Sequence, residues 1–253
     1  MLTNKFKINY SIGAVANGIK TDTFTFFLLF FYSNIIGLNP ALAGSAIFIA
    51  LCVDAVTDPL MGTISDRTNS SYGRRHPFMM ISFIPMSLGY IFLFAPRQDW
   101  DMSQSDLFIW MTIFTVITRI GMTLFDIPHR AFGGEVTKNY KERTILMSWR
   151  EMFGWVAGLS NAFLGYGVFF ASTPEYPQGQ LNPDAWFPFA VTGAIFMIVS
   201  VLYSSLSTKD EIKSLSKWSG SISLLDIFNE LKIAIGNKSF LIFFFGNLFL
   251  SLA

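Results

Sequence analysis

The chain has 253 residues, of which 52% are hydrophobic, 17% aromatic and only 14% charged, with a net charge of +1. Soluble domains carry about 25% charged residues, so an ordinary soluble domain is excluded, and the near-neutral balance argues against a general nucleic-acid binder. A single cysteine, Cys52, excludes a disulfide framework and a Cys-based metal site, and His76 and His129 are far apart with no ligand spacing.

The opening M-L-T-N-K-F-K-I-N-Y places two lysines before a long apolar run with no small-residue cleavage site after it. It reads as the start of a retained first helix. A membrane-crossing helix needs about 20 largely apolar residues. Six such runs follow in order, at 9–36, 41–64, 77–96, 106–130, 147–171 and 187–206. Turn residues separate them: Gly37, Asn39 and Pro40, then Gly73 and Pro77, then Pro174, Pro177 and Pro183. Lys5 and Lys7, Arg67, Arg74 and Arg75, Lys138, Lys141 and Arg143, and the lysines of 207–238 fall on alternate loops, whereas the loops between carry Arg97 alone. That alternation predicts six spans with the N-terminus and the segment after run 6 both in the cytoplasm.

Residues 207–238 form a polar segment in which Leu224–Ile235 reads as an amphipathic helix lying on a membrane or bundle surface. A new apolar run starts at Ser239 and has not crossed by Ala253. We therefore expect a bundle at 1–206, a central cytoplasmic loop at 207–238 and the truncated start of a seventh span at 239–253, as in the N-terminal half of a longer, twelve-span transporter.

Ionisable residues inside spans are costly and mark cavities, pathways or partners. Run 1 contains Lys20 and Asp22, run 2 Asp54 and Asp58, run 4 Arg119 and Asp126 with Arg130 at its end, and Arg150 and Glu151 open run 5. Asp54 and Asp58 are spaced i, i+4 and share one helix face. Two carboxylates facing one cavity repel, and a monovalent cation or a proton relieves that repulsion. The alternative is that each Asp is neutralised by a basic residue on another helix, such as Arg119 or Arg150. Arg119, Thr123, Asp126 and Arg130 form a polar stripe along run 4, with Pro128 freeing a backbone carbonyl nearby. A carboxylate beside hydroxyl and guanidinium groups suits a hydroxyl-rich ligand, and an interhelical ion-pair network is the competing reading. Tyr32, Trp149 and Trp155 could stack on a sugar face, but aromatics here read mainly as packing or lipid-facing. Glycines 154, 158, 165 and 167 read as points of close helix approach. No nucleotide-binding loop, metal motif or nucleophile–base pair supports an enzyme.

Residues 62–75, G-T-I-S-D-R-T-N-S-S-Y-G-R-R, resemble the loop between spans 2 and 3 of the major facilitator superfamily. D-A-V-T-D-P-L-M-G just before it, and F-D-I-P-H-R-A-F-G-G-E-V-T-K-N-Y-K-E-R-T at 125–144, narrow the resemblance to the glycoside–pentoside–hexuronide:cation symporter family. The resemblance implies an all-α twelve-helix fold, symport of a sugar with Na+ or H+ through the inner cell membrane, and no cofactor beyond that ion. It implies a cation site at Asp54, Asp58 and Thr123, with no other metal. Asp126 and Arg150 match sugar-contacting positions, and Asp22 and Arg130 join them as substrate candidates. Gly62, Asp66, Arg67, Gly73, Arg74 and Arg75 match a conformational latch. Three positions depart from the family: its span-1 sugar acid falls at Gly18, a sugar-packing tryptophan at Arg130, and an arginine at Leu51. Arg130 could favour an acidic sugar or pair with Asp126 or Glu135.

Overall fold

The computed structural model describes residues 2–68, 70–214, 236–239 and 241–242. The chain divides into two compact units, Met1–Lys217 and Trp218–Ala253. In the second, Leu241 N–H donates to the Asn237 carbonyl at 3.0 Å, a helical bond. The expected surface helix Leu224–Ile235 and most of the run from Ser239 lie outside the described residues.

Among its described residues the first unit is built of helices joined by turns and loops. Thr3 caps α1 (Asn4–Ser11) by accepting the Phe6 amide at 3.2 Å. After a turn come α2 (Ala14–Asp22), a π-helical turn at Thr23–Phe27, the single turn α3 (Leu28–Phe30) and a second π turn at Phe31–Ile36. Gly37 ends the run with a left-handed φ of 83°, a conformation that costs glycine little. Asn39 caps α4 (Pro40–Arg67) by accepting the Ala41 amide, with Pro40 in the first turn, where its missing N–H costs nothing. Gln104 pins this corner to the far helix, accepting from Asn39 N–H and donating to the Gly37 carbonyl, each at 2.8 Å.

The chain then forms α5 (His76–Ile81) and α6 (Phe83–Leu93), α7 (Gln104–Glu135), α8 (Tyr140–Leu164) with a π turn at Gly165–Phe169, and α9 (Trp186–Ser207). Ser103 and Asp106 make a reciprocal capping box at the start of α7. Among the described residues five helical stretches are long and apolar enough to cross a membrane: Pro40–Arg67, His76–Leu93, Gln104–Glu135, Tyr140–Phe169 and Pro183–Glu211. The first expected span is the interrupted Asn4–Ile36 stretch, which the turn at Ile12–Gly13 and two π turns break into shorter pieces.

Packing places α7 against α4 on one side and α6 on the other, α2 against α8, and α9 against α6 and α2. Much of the aromatic content closes one end of the bundle. Trp186 is fully buried, with Phe170, Phe31 and Phe30 ring centres at 4.5, 5.2 and 5.9 Å. Other aromatics face outward, among them Phe48 on α4 and Phe163 on α8. Apolar side chains left exposed on helices of this length suit contact with lipid or with further protein.

Glycine sets the α2–α8 approach. A side chain at Gly18 would overlap the Gly154 carbonyl, and Gly158 lies against the Gly18 carbonyl. Gly165 packs under Phe189, Phe170 and Phe27. Gly167 differs: only the Phe163 ring comes within 4.0 Å, so close approach does not explain a glycine there.

Candidate functional site

The charges that the sequence scatters over four helices meet in the bundle. A small cavity of about 80 Å³ is lined by Asn17 and Lys20 of α2, Asp54 and Asp58 of α4, and Arg119, Met122, Thr123, Asp126 and Ile127 of α7. The two α4 acids have different surroundings. Asp54 Oδ2 takes the Arg119 guanidinium as an ion pair, and its Oδ1 is buried without a hydrogen-bond partner. Asp58 accepts the Thr123 hydroxyl at 2.6 Å, and no basic side chain lies within ion-pair distance of it among the described residues. The two readings of the acid pair therefore divide between them: Asp54 has its interhelical arginine, and Asp58 does not. Lys20 and Arg119 also sit over the Phe24 ring, at 5.9 and 5.5 Å from its centre, where the ring's negative face attracts a cation.

Asp126 anchors a second group. It accepts Arg130 Nε at 2.7 Å and also holds the Arg150 guanidinium, which gives its other end to Glu151 at 2.6 Å. Arg150 is 1% exposed, so two carboxylates compensate a fully buried cation, the arrangement such a charge requires. Arg130 is therefore committed to Asp126; Glu135 instead takes Arg74 and Arg75.

A larger cavity of about 350 Å³ lies between α2 and α8, lined by Asn17, Asp22, Glu151, Gly154 and Trp155 among others. Asp22 accepts Asn161 Nδ2 at 2.8 Å. Asn17 lines both cavities, and the chain Asp126–Arg150–Glu151 runs from one to the other. Of the aromatic candidates, Trp155 lines this cavity, whereas Tyr32 is buried with its hydroxyl on the Leu93 carbonyl and Trp149 stacks on Phe153.

Among the described residues of the 62–75 motif, the charged ones gather at one end of the bundle. Arg75, 4% exposed, bridges α4 and α7: it donates to Asp66 Oδ1 through Nε at 3.1 Å and pairs with Glu135 at 2.8 Å. Arg74 joins Glu135. Gly73 has a φ of 77°, so the turn needs a residue that tolerates the left-handed region. At Gly62 the nearest neighbour of an added methyl is Ile127 at 3.8 Å, an ordinary contact. Glu135, Asn17 and Lys20 complete these clusters, and the motif spacing assigned none of them. Helix packing brings them in, and the in-span charge of Lys20 was the one local signal.

An all-α bundle with apolar outer helices and a buried mixed-charge cluster defines a multi-pass membrane protein. The chain belongs to the MFS/sugar transport protein family, whose model matches residues 9–253. It is similar to an uncharacterized symporter of Synechocystis sp., 32% identical over 210 residues, covering 82% of this chain and 38% of that protein. It is also similar to the inner membrane symporter YicJ of Escherichia coli, 29% identical, covering 65% of this chain and 35% of that protein. The isoprimeverose transporter of Lactiplantibacillus pentosus is 22% identical, with 82% of this chain and 42% of that protein covered. The chain thus spans less than half the length of these relatives.

Proposed function

We propose that the full-length protein is a secondary active transporter that moves a sugar or glycoside together with Na+ or H+ by alternating access. One observation carries the coupling: Asp58 is a carboxylate inside a span, beside the Thr123 hydroxyl and in one cavity with Asp54, whose Oδ1 is unpartnered, and among the described residues no arginine or lysine lies within ion-pair distance of it. A monovalent cation fits such a set of oxygen donors, and a proton would neutralise it equally well. Asp126 and Arg150, with Asp22 across the neighbouring cavity, are the sugar-binding groups in this reading. Arg130, paired with Asp126 through Nε, joins them as a further candidate. The relatives' names, symporter and isoprimeverose transporter, support the class. The second six-helix half, expected beyond this chain, would supply the opposite wall. The lysine and arginine distribution supports an inner-membrane protein with its N-terminus and central loop in the cytoplasm.

The test uses the full-length protein in proteoliposomes with labelled methyl glycosides. An imposed inward Na+ or H+ gradient drives accumulation above equilibrium if the reading holds. Equilibration without response to either gradient would make the protein an uncoupled facilitator, and no uptake at all would remove transport from the proposal.

The Arg75 cluster acts in this reading as a latch between α4 and α7. Arg75→Gln removes the charge from its pairs with Asp66 and Glu135 and shifts the population toward the state open at that end. Labelling of a cysteine introduced there by a membrane-impermeant maleimide speeds up severalfold, about what 1–2 kcal/mol of lost charged hydrogen bonding allows. Unchanged labelling would remove the latch role.

A further inference from the structure

We propose that His129 is the positioning residue for Arg150, holding its guanidinium at the angle from which it meets Asp126. This inference rests on Arg150 being a substrate-binding group.

His129 is fully buried and clamped by rings on both faces, Tyr10 at 4.1 Å and Phe125 at 4.8 Å, with interplanar angles of 12° and 20°. Its edges are constrained too. Nε2 lies 3.0 Å from the Tyr10 carbonyl, which can only accept, so the proton is on Nε2. Nδ1 then carries a lone pair, and Arg150 Nε donates to it at 3.5 Å. An arginine Nε–H can only donate, so both contacts require the same neutral tautomer. Tyr10 returns the link by donating its hydroxyl to the His129 carbonyl at 3.1 Å. Ser204 of α9 donates to the Tyr10 carbonyl at 3.1 Å.

Arg150 has three donor edges, and two are taken by acids on opposite sides, Asp126 and Glu151. Those acids alone leave the guanidinium free to rock between them, because each accepts from a broad range of angles. The third contact, from Nε at 3.5 Å to a ring held between Tyr10 and Phe125, adds a constraint on the plane of the fork that the acids do not supply. A guanidinium is a planar fork whose donors point in fixed directions, so its plane sets where each N–H is aimed. His129 thus ties the geometry of the substrate site to α1 through Tyr10.

The experiment measures glycoside uptake by the full-length protein in proteoliposomes under the gradient that drives it. His129→Leu removes the acceptor. The KM for the transported methyl glycoside rises roughly tenfold, about the loss of one hydrogen bond to a charged group. The maximal rate and the cation concentration giving half-maximal uptake stay within about twofold, because Asp58 and Thr123 do not touch His129. His129→Asn, which returns an acceptor close to Nδ1, restores most of the affinity. His129→Gln, whose amide reaches toward Nε2, does not. An unchanged KM in His129→Leu, or equal KM values in the Asn and Gln variants, would overturn the proposal. If His129→Leu fails to fold, the Asn–Gln comparison decides. Absence of any glycoside uptake by the wild-type protein would overturn the transport reading and this inference together; uptake with no KM change overturns this inference alone.

Discussion

For the proposed symporter the expected result is that Asp58→Asn abolishes cation-driven accumulation while downhill movement of the sugar continues. The carboxamide keeps the size of the side chain and can still accept from Thr123, so the local fold changes little. It loses the charge that a cation or proton would neutralise. Coupling free energies of about 1–3 kcal/mol correspond to a roughly 5–150-fold gain in affinity for one ligand when the other is bound. In Asp58→Asn that gain disappears in both directions: the cation no longer tightens sugar binding, and the sugar no longer tightens cation binding. Asp54→Asn behaves differently. It leaves the Arg119 guanidinium without its carboxylate in a site where that side chain is 13% exposed. Breaking fully buried pairs costs about 3–5 kcal/mol, and this partly exposed pair costs less. Asp54→Asn therefore lowers thermal stability measurably, whereas Asp58→Asn does not. Titrating equilibrium sugar binding against Na+ or pH, with a melting curve for each variant, separates the two acids. Accumulation by Asp58→Asn at the wild-type level would remove this carboxylate from the coupling site.

The contrast between the two acids marks where sequence reasoning stopped. Their i, i+4 spacing put them on one face of one helix, because 3.6 residues per turn makes that a local property. Which of them would be neutralised was not local. Arg119 is 65 residues from Asp54 and meets it only because α7 packs against α4. Glu135 shows the same limit. The 62–75 motif exposed its own arginines and Asp66, but the acid that joins them comes from the far end of α7. The position proposed for His129 was not legible in the sequence, since a lone histidine in an apolar run has many structural uses and its tautomer follows only from what surrounds the ring. Five of the six expected spans were legible from apolar length, whereas the first, Asn4–Ile36, is broken by a turn and two π turns that shift the helical register without any change in composition to announce them.

Gly18→Ala destabilises the bundle, and Gly154→Ala does not, although the two glycines face each other. The asymmetry follows from where each Cα–Cβ bond points. A methyl on Gly18 is driven into the Gly154 carbonyl, a backbone group that cannot move without α8 moving. A methyl on Gly154 finds the Ala14 carbonyl at 3.6 Å and the Ala14 methyl at 3.9 Å, both ordinary contacts. Gly158 is intermediate, with the Gly18 carbonyl at 3.2 Å. Small residues let transmembrane backbones approach closely, and that packing takes the place of a hydrophobic drive absent in lipid. Overpacking costs about 1–3 kcal/mol where side chains can adjust, and a backbone clash lies at or above the upper end. Melting temperatures of the full-length protein in detergent should therefore fall in the order Gly154→Ala, Gly158→Ala, Gly18→Ala, the last by the most. The damage reaches function as well. Asp22 lies one turn after Gly18 and Arg150 one turn before Gly154, so separating α2 from α8 pulls Asp22 from Asn161 and alters the wall of the cavity between them. The same geometry explains a departure from the family pattern: the span-1 acid that resemblance expects at this position could not fit here while α8 keeps its present distance. Equal losses at Gly18 and Gly154 would mean that the helix pair is held by something other than this contact.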